Sequence, residues 1–463
     1  MKQKREQNIF LPDERPPFLK LVLYSFQQIL VMFPATIAVA LITGFPVSTT
    51  IFSCGLATIC FILTTGKKVP LFCGSSFSYM PAIIALVTAK GYCTINGILP
   101  SDAIRISQFG ILMSGLISIL AGVVVKLSGT RIVEKLLPPQ VTGSMSIVIG
   151  LSLSGNALQD IFSGEQEHKN IAIIIGLVTF LSAVVIATYS KGTLSQIPLL
   201  IGTLIGCCIA LIAFVFFDGN CNFFRTIPEE AFSNSLWKFG DGKVFSLPPF
   251  TLPKFSLDAI IAIMPIAFAT IPESVAHVYQ LDLYVNELAK QRGVTKKYKI
   301  KEKLAENLIG DGFSDMVCGL IGGPAGTSYG ENMSAMLISK VFSISVLVAT
   351  SIILMFLSCF TPIIKLIYCI PLAVIGGLEI YLFGAIAVQG IAILIENKCN
   401  VFLTKNVAVI ASMLVIGIGG SYAFNGSIPA FGVSIPAITA SAIWGILLNL
   451  ALSKKKRGLL KKS

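Results

Sequence analysis

Two stretches decide the fold of this chain: residues 70–81, PLFCGSSFSYMP, and residues 322–333, GGPAGTSYGENM. Each lies in a run long enough to cross a membrane, yet carries Gly, Pro and hydroxyl side chains where a continuous spanning helix would be apolar. Lipid offers no partners to the backbone groups that such breaks free, so protein or water must satisfy them. We predict that both interrupted spans line a cavity; the alternative is a pair of re-entrant or kinked packing helices.

The composition around these stretches is that of a polytopic membrane protein. Of 463 residues, 54% are apolar and 13% are charged, about half the roughly 25% charged residues of a soluble protein. The net charge of +12 would suggest nucleic acid in a soluble chain. Here the basic residues lie in loops and tails, so we predict no nucleic-acid partner. The 11 cysteines lie mostly in apolar runs, and we expect neither a disulfide framework, nor a zinc site, nor any other cofactor.

Apolar runs of about 20 residues predict an all-α membrane fold with fourteen spans in two seven-span repeats. Within residues 21–217 the spans are 21–43, 49–65, 69–89, 104–125, 133–154, 170–188 and 197–217. Within residues 257–452 they are 257–279, 304–321, 325–339, 341–366, 370–395, 407–422 and 433–452. The interrupted span is the third of each repeat, and an odd number of spans inverts one repeat relative to the other. This pattern is typical of secondary transporters that bind substrate near the membrane midplane.

The basic residues also predict the orientation. Most Lys and Arg fall on one side if both termini are cytoplasmic, including seven between Lys290 and Lys303 and the tail KKKRGLLKK. Residues 1–20 and 453–463 would then be cytoplasmic tails, and residues 218–256 an extracytoplasmic loop. The polar first residues lead directly into a span, so we expect no cleaved signal peptide. We predict a multi-pass protein of the inner or plasma membrane, surrounded by lipid.

Ionisable residues deep in a span are costly and by default functional. Glu273 and His277, in PESVAHV, are four residues apart and share one face of the eighth span. Burial favours the neutral form of a carboxylic acid, and imidazole titrates near neutrality, so the pair is a candidate proton site. The alternative is a buried polar pair that holds helices together.

Glu331 follows the break in the tenth span, where a half-helix would begin. Backbone amides at Tyr329, Gly330 and Glu331 would face the cavity beside the carboxylate. Such an edge matches a planar heterocycle with alternating carbonyl and ring NH groups, which is what a nucleobase presents. The alternative is a helix-capping acid without a ligand.

Five motifs resemble those of one transporter family. They are DERPP (13–17), MFPAT (32–36), GSSFSYMPA (74–82), PESVAHV (272–278) and SYGENMSAM (328–336), in order over essentially the whole chain. The chain is therefore similar to the uracil permeases of the nucleobase/ascorbate transporter family. The resemblance implies a core domain (spans one to four and eight to eleven) that slides against a gate domain (five to seven and twelve to fourteen). It also implies proton-coupled import, commonly by a homodimer.

The resemblance also assigns residues. Glu273 and Glu331 would hydrogen-bond the base, Phe77 would contact its ring, and His277 would assist the proton step. The remaining implied contacts are backbone contacts from Tyr329 and Gly330, a pocket wall at Ala35, and a gate position at Phe383, which is Tyr in some uracil permeases. An acid at position 331 is typical of the uracil branch, whereas xanthine and urate members more often have Gln.

One acid is not explained by the resemblance. Glu379 lies one helical turn before Phe383 in the twelfth span, so the two share a face. We hypothesise that Glu379 is a second protonatable group along the exit path; the alternative is an interfacial acid in contact with water. Asp311 and Asp315, in the ninth span, are interpreted as helix-start and gate contacts, with a direct coupling role as the alternative.

Three rival functions stay open. A purine or xanthine permease would use the same scaffold. An anion transporter of related architecture would need a basic residue at its site, and residues 70–81 and 322–333 contain no Lys or Arg. A membrane-embedded enzyme could use Glu273 and His277 as acid and base, but the chain offers no nucleotide-binding loop or metal-binding pattern to support it.

Overall fold

The computed structural model describes residues 9–94, 97–129, 135–162, 168–191, 194, 197–217, 221–226, 238–239, 244–430 and 433–453. Within those residues, nine helices are long and apolar enough to cross a membrane, and three shorter apolar helices accompany them. These helices indicate a multi-pass membrane protein. The basic C-terminal tail after Ser453 and 18 of the 39 residues of the loop predicted at 218–256 lie outside the described residues. The count of fourteen spans stays a prediction.

The first half of the chain begins with two long helices and the first interrupted segment. Its helices are α1 (Phe18–Thr43), α2 (Val47–Thr64), α3 (Met80–Ala89), α4 (Ser101–Ser128), α5 (Pro139–Ser152), α6 (Ser154–Ile161), α7 (Lys169–Tyr189) and α8 (Pro198–Phe216). Strand β1 (Cys73–Ser75) and a 3₁₀ turn (Phe77–Tyr79) precede α3.

The second half likewise contains a short strand followed by a short helix. Its helices are α9 (Leu257–Ile263), α10 (Ala267–Gln291), α11 (Leu304–Ile321), α12 (Gly330–Ser339), α13 (Ile344–Ser358), α14 (Thr361–Tyr368), α15 (Leu372–Glu396), α16 (Thr404–Leu414), α17 (Gly420–Ala423) and α18 (Ala437–Ser453). Strands β2 (Lys238–Phe239) and β3 (Phe245–Ser246) lie between the two halves. The strands of the second half are β4 (Gly326–Ser328), β5 (Ser427–Ala430) and β6 (Val433–Pro436). A 3₁₀ turn joins α9 to α10, and a π-helical turn joins α16 to α17.

Two predicted spans differ from the helices that contain them. The eighth was expected to end at Tyr279, but α10 continues for three more turns to Gln291, because Leu281, Val285 and Leu288 are buried at helical spacing. The eleventh was expected to be one helix over 341–366, but it is divided into α13 and α14. The second of these starts at a Thr-Pro pair, where proline has no N–H to lose at a helix start.

Each interrupted span consists of a short extended stretch followed by a short helix. Strands β1 and β4 pair in antiparallel register, with Gly74 opposite Thr327. The ladder continues on each side, since the Ser76 amide donates to the Ala325 carbonyl at 2.8 Å and the Tyr329 amide donates to the Phe72 carbonyl at 2.9 Å. The backbone groups freed by one break therefore satisfy those freed by the other.

The helices pack in two groups around this strand pair. In one group, α11 packs against α4 and α2, and α13 packs against α2 and α1. In the other, α15 packs against α5, α6 and α7, while α18 packs against α16 and α5. The paired strands belong to the first group, and α10 lies between it and α5. The junction between the groups is where a cavity opens.

Candidate functional site

A cavity of about 320 Å³ lies where the two helix groups meet. This is near the lower end of the roughly 300–1,000 Å³ usual for small-molecule sites. On one side the cavity is lined by both interrupted spans and by α10, and on the other side by α5 and α15. The lining residues are Ser76, Phe77, Ser78, Ser146, Ile149, Glu273, His277, Gln280, Tyr284, Thr327, Ser328, Tyr329, Gly330, Glu331, Met333, Ser334, Ile386 and Gln389.

Two carboxyl groups reach this cavity from different elements. Glu273 follows Pro272 inside α10, and Glu331 occupies the first turn of α12. Glu331 is exposed to the cavity that it lines. Both side chains line the same cavity. Like charges in one cavity disfavour a state in which both acids are ionised.

His277 is held in place on one side only. Its Nδ1 lies 2.9 Å from the Ser328 hydroxyl on β4, while its Nε2 has no hydrogen-bond partner among the described residues. A methyl group at Gly330 would lie 3.2 Å from this Nε2. The glycine therefore leaves room for the imidazole at the start of α12, and the imidazole can exchange a proton or hydrogen bond with whatever occupies the cavity.

Tyr329 joins the two interrupted spans beneath the cavity. Its hydroxyl donates to the Ser75 carbonyl at 2.7 Å and lies 3.3 Å from the Thr36 hydroxyl. Its ring covers Gly74, where an added Cβ would lie 2.3 Å from the ring carbons. Its amide is already bonded to Phe72, so our expectation of a free cavity-facing amide at Tyr329 was wrong. Gly330 and Glu331, as the first residues of α12, have no acceptor within the helix for their amides.

Six of the predicted site residues meet in the cavity and three do not. The six are Phe77, Glu273, His277, Tyr329, Gly330 and Glu331. Ala35 is fully buried in α1 and does not line the cavity. Phe383 lies beside the cavity, with its ring packed edge-on to that of Phe77 at 6.2 Å between centroids. Glu379, one turn away, is fully buried, and neither carboxylate oxygen has a partner among the described residues.

The structure adds polar lining residues that sequence reasoning missed. Gln280 and Tyr284 continue the face of α10 that carries Glu273 and His277, at spacings of seven and eleven residues from Glu273. The helical period would have identified both if the span had not been ended at Tyr279. Ser146 and Gln389 reach the cavity from α5 and α15, and no local sequence signal indicates them.

The charge of the lining is one-sided. Among its described residues the ionisable side chains are Glu273, His277, Glu331 and Tyr residues, and none is Lys or Arg. A cavity of this kind suits a ligand with NH donors and disfavours an anion. The fold is nevertheless shared with anion transporters, as the comparisons with solved structures show.

The sequence model Xan_ur_permease, which describes a permease family, matches residues 19–426. The uracil permease of Bacillus caldolyticus is 32% identical over 448 residues, covering 95% of this chain and 94% of its own. The putative pyrimidine permease RutG of Escherichia coli K12 is 30% identical, with coverage of 97% and 93%. The uracil permease of Bacillus subtilis strain 168 is also 30% identical, with coverage of 98% and 97%.

Solved structures with a similar fold are more distant in sequence. The transmembrane domain of the cyanobacterium bicarbonate transporter BicA is 15% identical, with a TM-score of 0.58, covering 95% of this chain and 99% of that one. SLC26A9 is 11% identical, with a TM-score of 0.64, covering 94% of this chain and 65% of that one. At these identities the likeness shows a common fold and carries no information about the substrate.

Proposed function

Because this chain belongs to the permease family whose model covers residues 19–426, we propose that it imports a nucleobase, uracil, together with protons across the cell membrane. The chain is a permease and not an enzyme. Its relatives include uracil permeases and a putative pyrimidine permease, which supports a pyrimidine as the substrate. The rival substrate class is a purine or xanthine.

The observation that carries this proposal is that Glu273 and Glu331 line one cavity whose described lining residues include no Lys or Arg. A neutral ring with alternating NH and carbonyl groups can donate to the carboxyl oxygens and accept from a protonated acid or from the amides at the start of α12. A bicarbonate-like anion would instead leave its charge unpaired beside two acids. The site chemistry therefore favours a base over the anions that structural neighbours transport.

In this mechanism each site residue has a distinct task. Glu273 and Glu331 bind the edge of the base, with Gly330 supplying backbone contacts. Phe77 packs against the ring, and Phe383 supports Phe77 from behind. His277 exchanges a proton with the acids, since its Nε2 has no other partner among the described residues. Proton release on the cytoplasmic side then restores the negative pair and weakens binding.

We propose fourteen spans in two inverted seven-span repeats. In two such repeats, span four corresponds to span eleven and span two corresponds to span nine. The packing of span four against span nine should therefore match the packing of span eleven against span two. Close packing at small residues occurs in both crossings: a Cβ on Gly115 of α4 would lie 2.5 Å from the Gly312 carbonyl of α11, and one on Gly55 of α2 would lie 2.7 Å from the Ser351 carbonyl of α13. The antiparallel β1–β4 pair joins spans three and ten, which correspond to each other.

The two helix groups correspond to the proposed core and gate domains. The interrupted spans lie in the core, whereas Ser146 and Gln389 extend from the gate. Sliding of the core against the gate would carry the bound base while leaving the core contacts unchanged. Both termini are proposed to be cytoplasmic and the assembly a homodimer, and Glu379 is proposed as a second protonatable group within the gate.

Uptake of labelled uracil into proteoliposomes tests the proposal. We expect accumulation when the outside is more acidic than the lumen, and its collapse when a protonophore removes the gradient. Uptake that ignores the gradient would contradict proton coupling. Unlabelled uracil and thymine, compared with xanthine and adenine as competitors, separate a pyrimidine from a purine permease. Stronger competition by xanthine than by uracil would contradict uracil as the substrate and indicate a xanthine permease.

A further inference from the structure

A second cavity lies on the surface of the core that faces away from α5 and α15, and it is separate from the nucleobase cavity. It is a groove of about 740 Å³ between α1, α2 and α13, and it shares no lining residue with the nucleobase cavity. Its walls are aliphatic: Leu21, Ile59, Ile62, Leu63, Ile344, Val348, Ala349 and Ile352. Leu63 and Ile352 are 59% and 43% exposed, so the groove is open to the surrounding membrane.

One end of this groove is positively charged. Arg15, just before α1, and Lys67, just after α2, both line it. Neither forms an ion pair with a described residue. The two acids at the same end are already engaged, since Asp13 binds Lys296 at 2.5 Å and Glu14 binds Arg292. The start of α1, the end of α2 and the start of α13 all meet here, so the charged end lies at one membrane surface and the aliphatic walls extend into the hydrocarbon.

The charged end is also fixed in shape. The segment before α1 runs beside the segment before α13, with the Phe10 amide donating to the Lys340 carbonyl at 3.0 Å and the Phe342 amide donating to the Phe10 carbonyl at 2.8 Å. The Ile344 amide donates to the Pro12 carbonyl at 3.2 Å. The backbone that carries Arg15 is therefore anchored before any ligand arrives, which lowers the entropic cost of binding.

We propose that this groove binds an anionic phospholipid of the surrounding membrane. One acyl chain lies along the aliphatic walls, and the headgroup phosphate lies between the Arg15 guanidinium and the Lys67 ammonium. Guanidinium and ammonium groups are the side chains that pair with phosphate oxygens. A zwitterionic headgroup also carries a cation, which Arg15 and Lys67 repel, so it binds this end of the groove less tightly than an anionic headgroup. The occupied groove would secure the N-terminal segment to α2 and α13.

Lipid binding to the purified full-length transporter tests this site. In native mass spectrometry, palmitoyl-oleoyl phosphatidylglycerol should bind more tightly than palmitoyl-oleoyl phosphatidylcholine. The double variant R15Q/K67Q should lose about thirtyfold in phosphatidylglycerol affinity, about fivefold for each basic residue near a membrane surface. Phosphatidylcholine binding should fall much less than phosphatidylglycerol binding in the same variant.

Lys398 supplies a matched control, because it is also an exposed lysine with left-handed backbone, at φ +51° against +57° for Lys67. K398Q should bind phosphatidylglycerol like the parent protein. Ala349→Phe, which fills the groove, should reduce binding of both lipids. Equal phosphatidylglycerol affinity in R15Q/K67Q and the parent would overturn the proposal, as would an equal loss in K398Q. Uracil binding to each variant reports the other cavity independently, so failure of one proposal is distinguishable from failure of the other.

Discussion

Glu331 occupies the first turn of α12 with its carboxylate open to the cavity, beside the amides that begin the helix. A ligand NH group bound to it forms a charge-assisted hydrogen bond, whose loss costs about 1.5–3 kcal/mol. Glu331→Gln should therefore weaken uracil binding about tenfold or more in isothermal titration. Glu396→Gln, an exposed acid at the end of α15, is the control and should leave binding unchanged. Undiminished affinity in the Glu331 variant would contradict its role.

Glu379 presents a different case, because it is buried beside the cavity rather than in it. Its carboxylate has no hydrogen-bond partner among the described residues, and the charged group that acts on it is Asp160 of α6. Asp160 in turn feels the positive charge of Arg225. We propose that Glu379 changes its protonation when the proposed gate domain moves.

We predict that Glu379→Gln shifts the pH profile of uracil uptake while uracil affinity at a fixed pH changes less than twofold. Uptake into proteoliposomes at a series of external pH values measures the first quantity, and equilibrium binding measures the second. Glu396→Gln again serves as the control. An unchanged pH profile in the Glu379 variant would remove this residue from the coupling scheme.

Among the elements, the β1–β4 pair depends on the absence of a side chain at Gly74. The ring of Tyr329 occupies that space, so Gly74→Ala must displace the ring or separate the strands. We expect this variant to lose most uracil uptake and to melt at a lower temperature, as overpacking in a close-packed interior typically costs about 1–3 kcal/mol. Gly384→Ala on α15 meets no atom within 4 Å and should behave like the parent protein. Normal uptake by the Gly74 variant would show that the strand pair tolerates a shift.

Element boundaries also explain how far the sequence could predict this site. Clusters of proline, glycine and hydroxyl residues in two apolar runs were sufficient to predict both interrupted spans. A single proline, such as Pro34 or Pro272, remains inside a continuous helix, whereas a cluster of such residues indicates a break. Their pairing into one ladder required knowledge of which spans are neighbours. Gln280 and Tyr284 were accessible by periodicity along α10, whereas Ser146 and Gln389 depend on how the helix groups pack.

The helix face shared by Glu379 and Phe383 shows what the sequence could not predict. A four-residue spacing correctly placed both on one side of α15, but it could not say what that side contacts. Close contacts at Gly376 with Ala157 and at Gly377 with Gly176 hold α15 against α6 and α7. Phe383 consequently packs behind Phe77, and Glu379 is covered by protein.

At the scale of the whole molecule, the N-terminal segment is tied to the loop between α10 and α11, across the core. Asp13 accepts hydrogen bonds from Lys296 and from the Tyr298 hydroxyl at 2.6 Å. Partial burial raises the pKa of Asp13, but these two hydrogen bonds outweigh it and place the pKa below its ordinary value of 3.8. Burial and the bond to Asp13 both raise the pKa of Tyr298. The tie is therefore strongest when Asp13 is ionised and Tyr298 is neutral.

This tie predicts a pH-dependent contribution to stability. Because the folded-state pKa of Asp13 is lowered, its contribution is fully present above pH 3.8 and is lost as the pH falls through the lower folded value. The ion pair is half exposed, so its contribution should stay within the roughly 1 kcal/mol usual for such pairs. We expect Asp13→Asn to melt slightly below the parent protein at pH 7, and the difference to shrink as the pH falls below 3.8 in scanning fluorimetry. Asp258→Asn, which breaks an exposed ion pair with Lys90 at the other surface, supplies the control for general charge effects. A melting difference for the Asp13 variant that stays the same from pH 7 to well below pH 3.8 would contradict a stabilising role for the ionised Asp13 carboxylate.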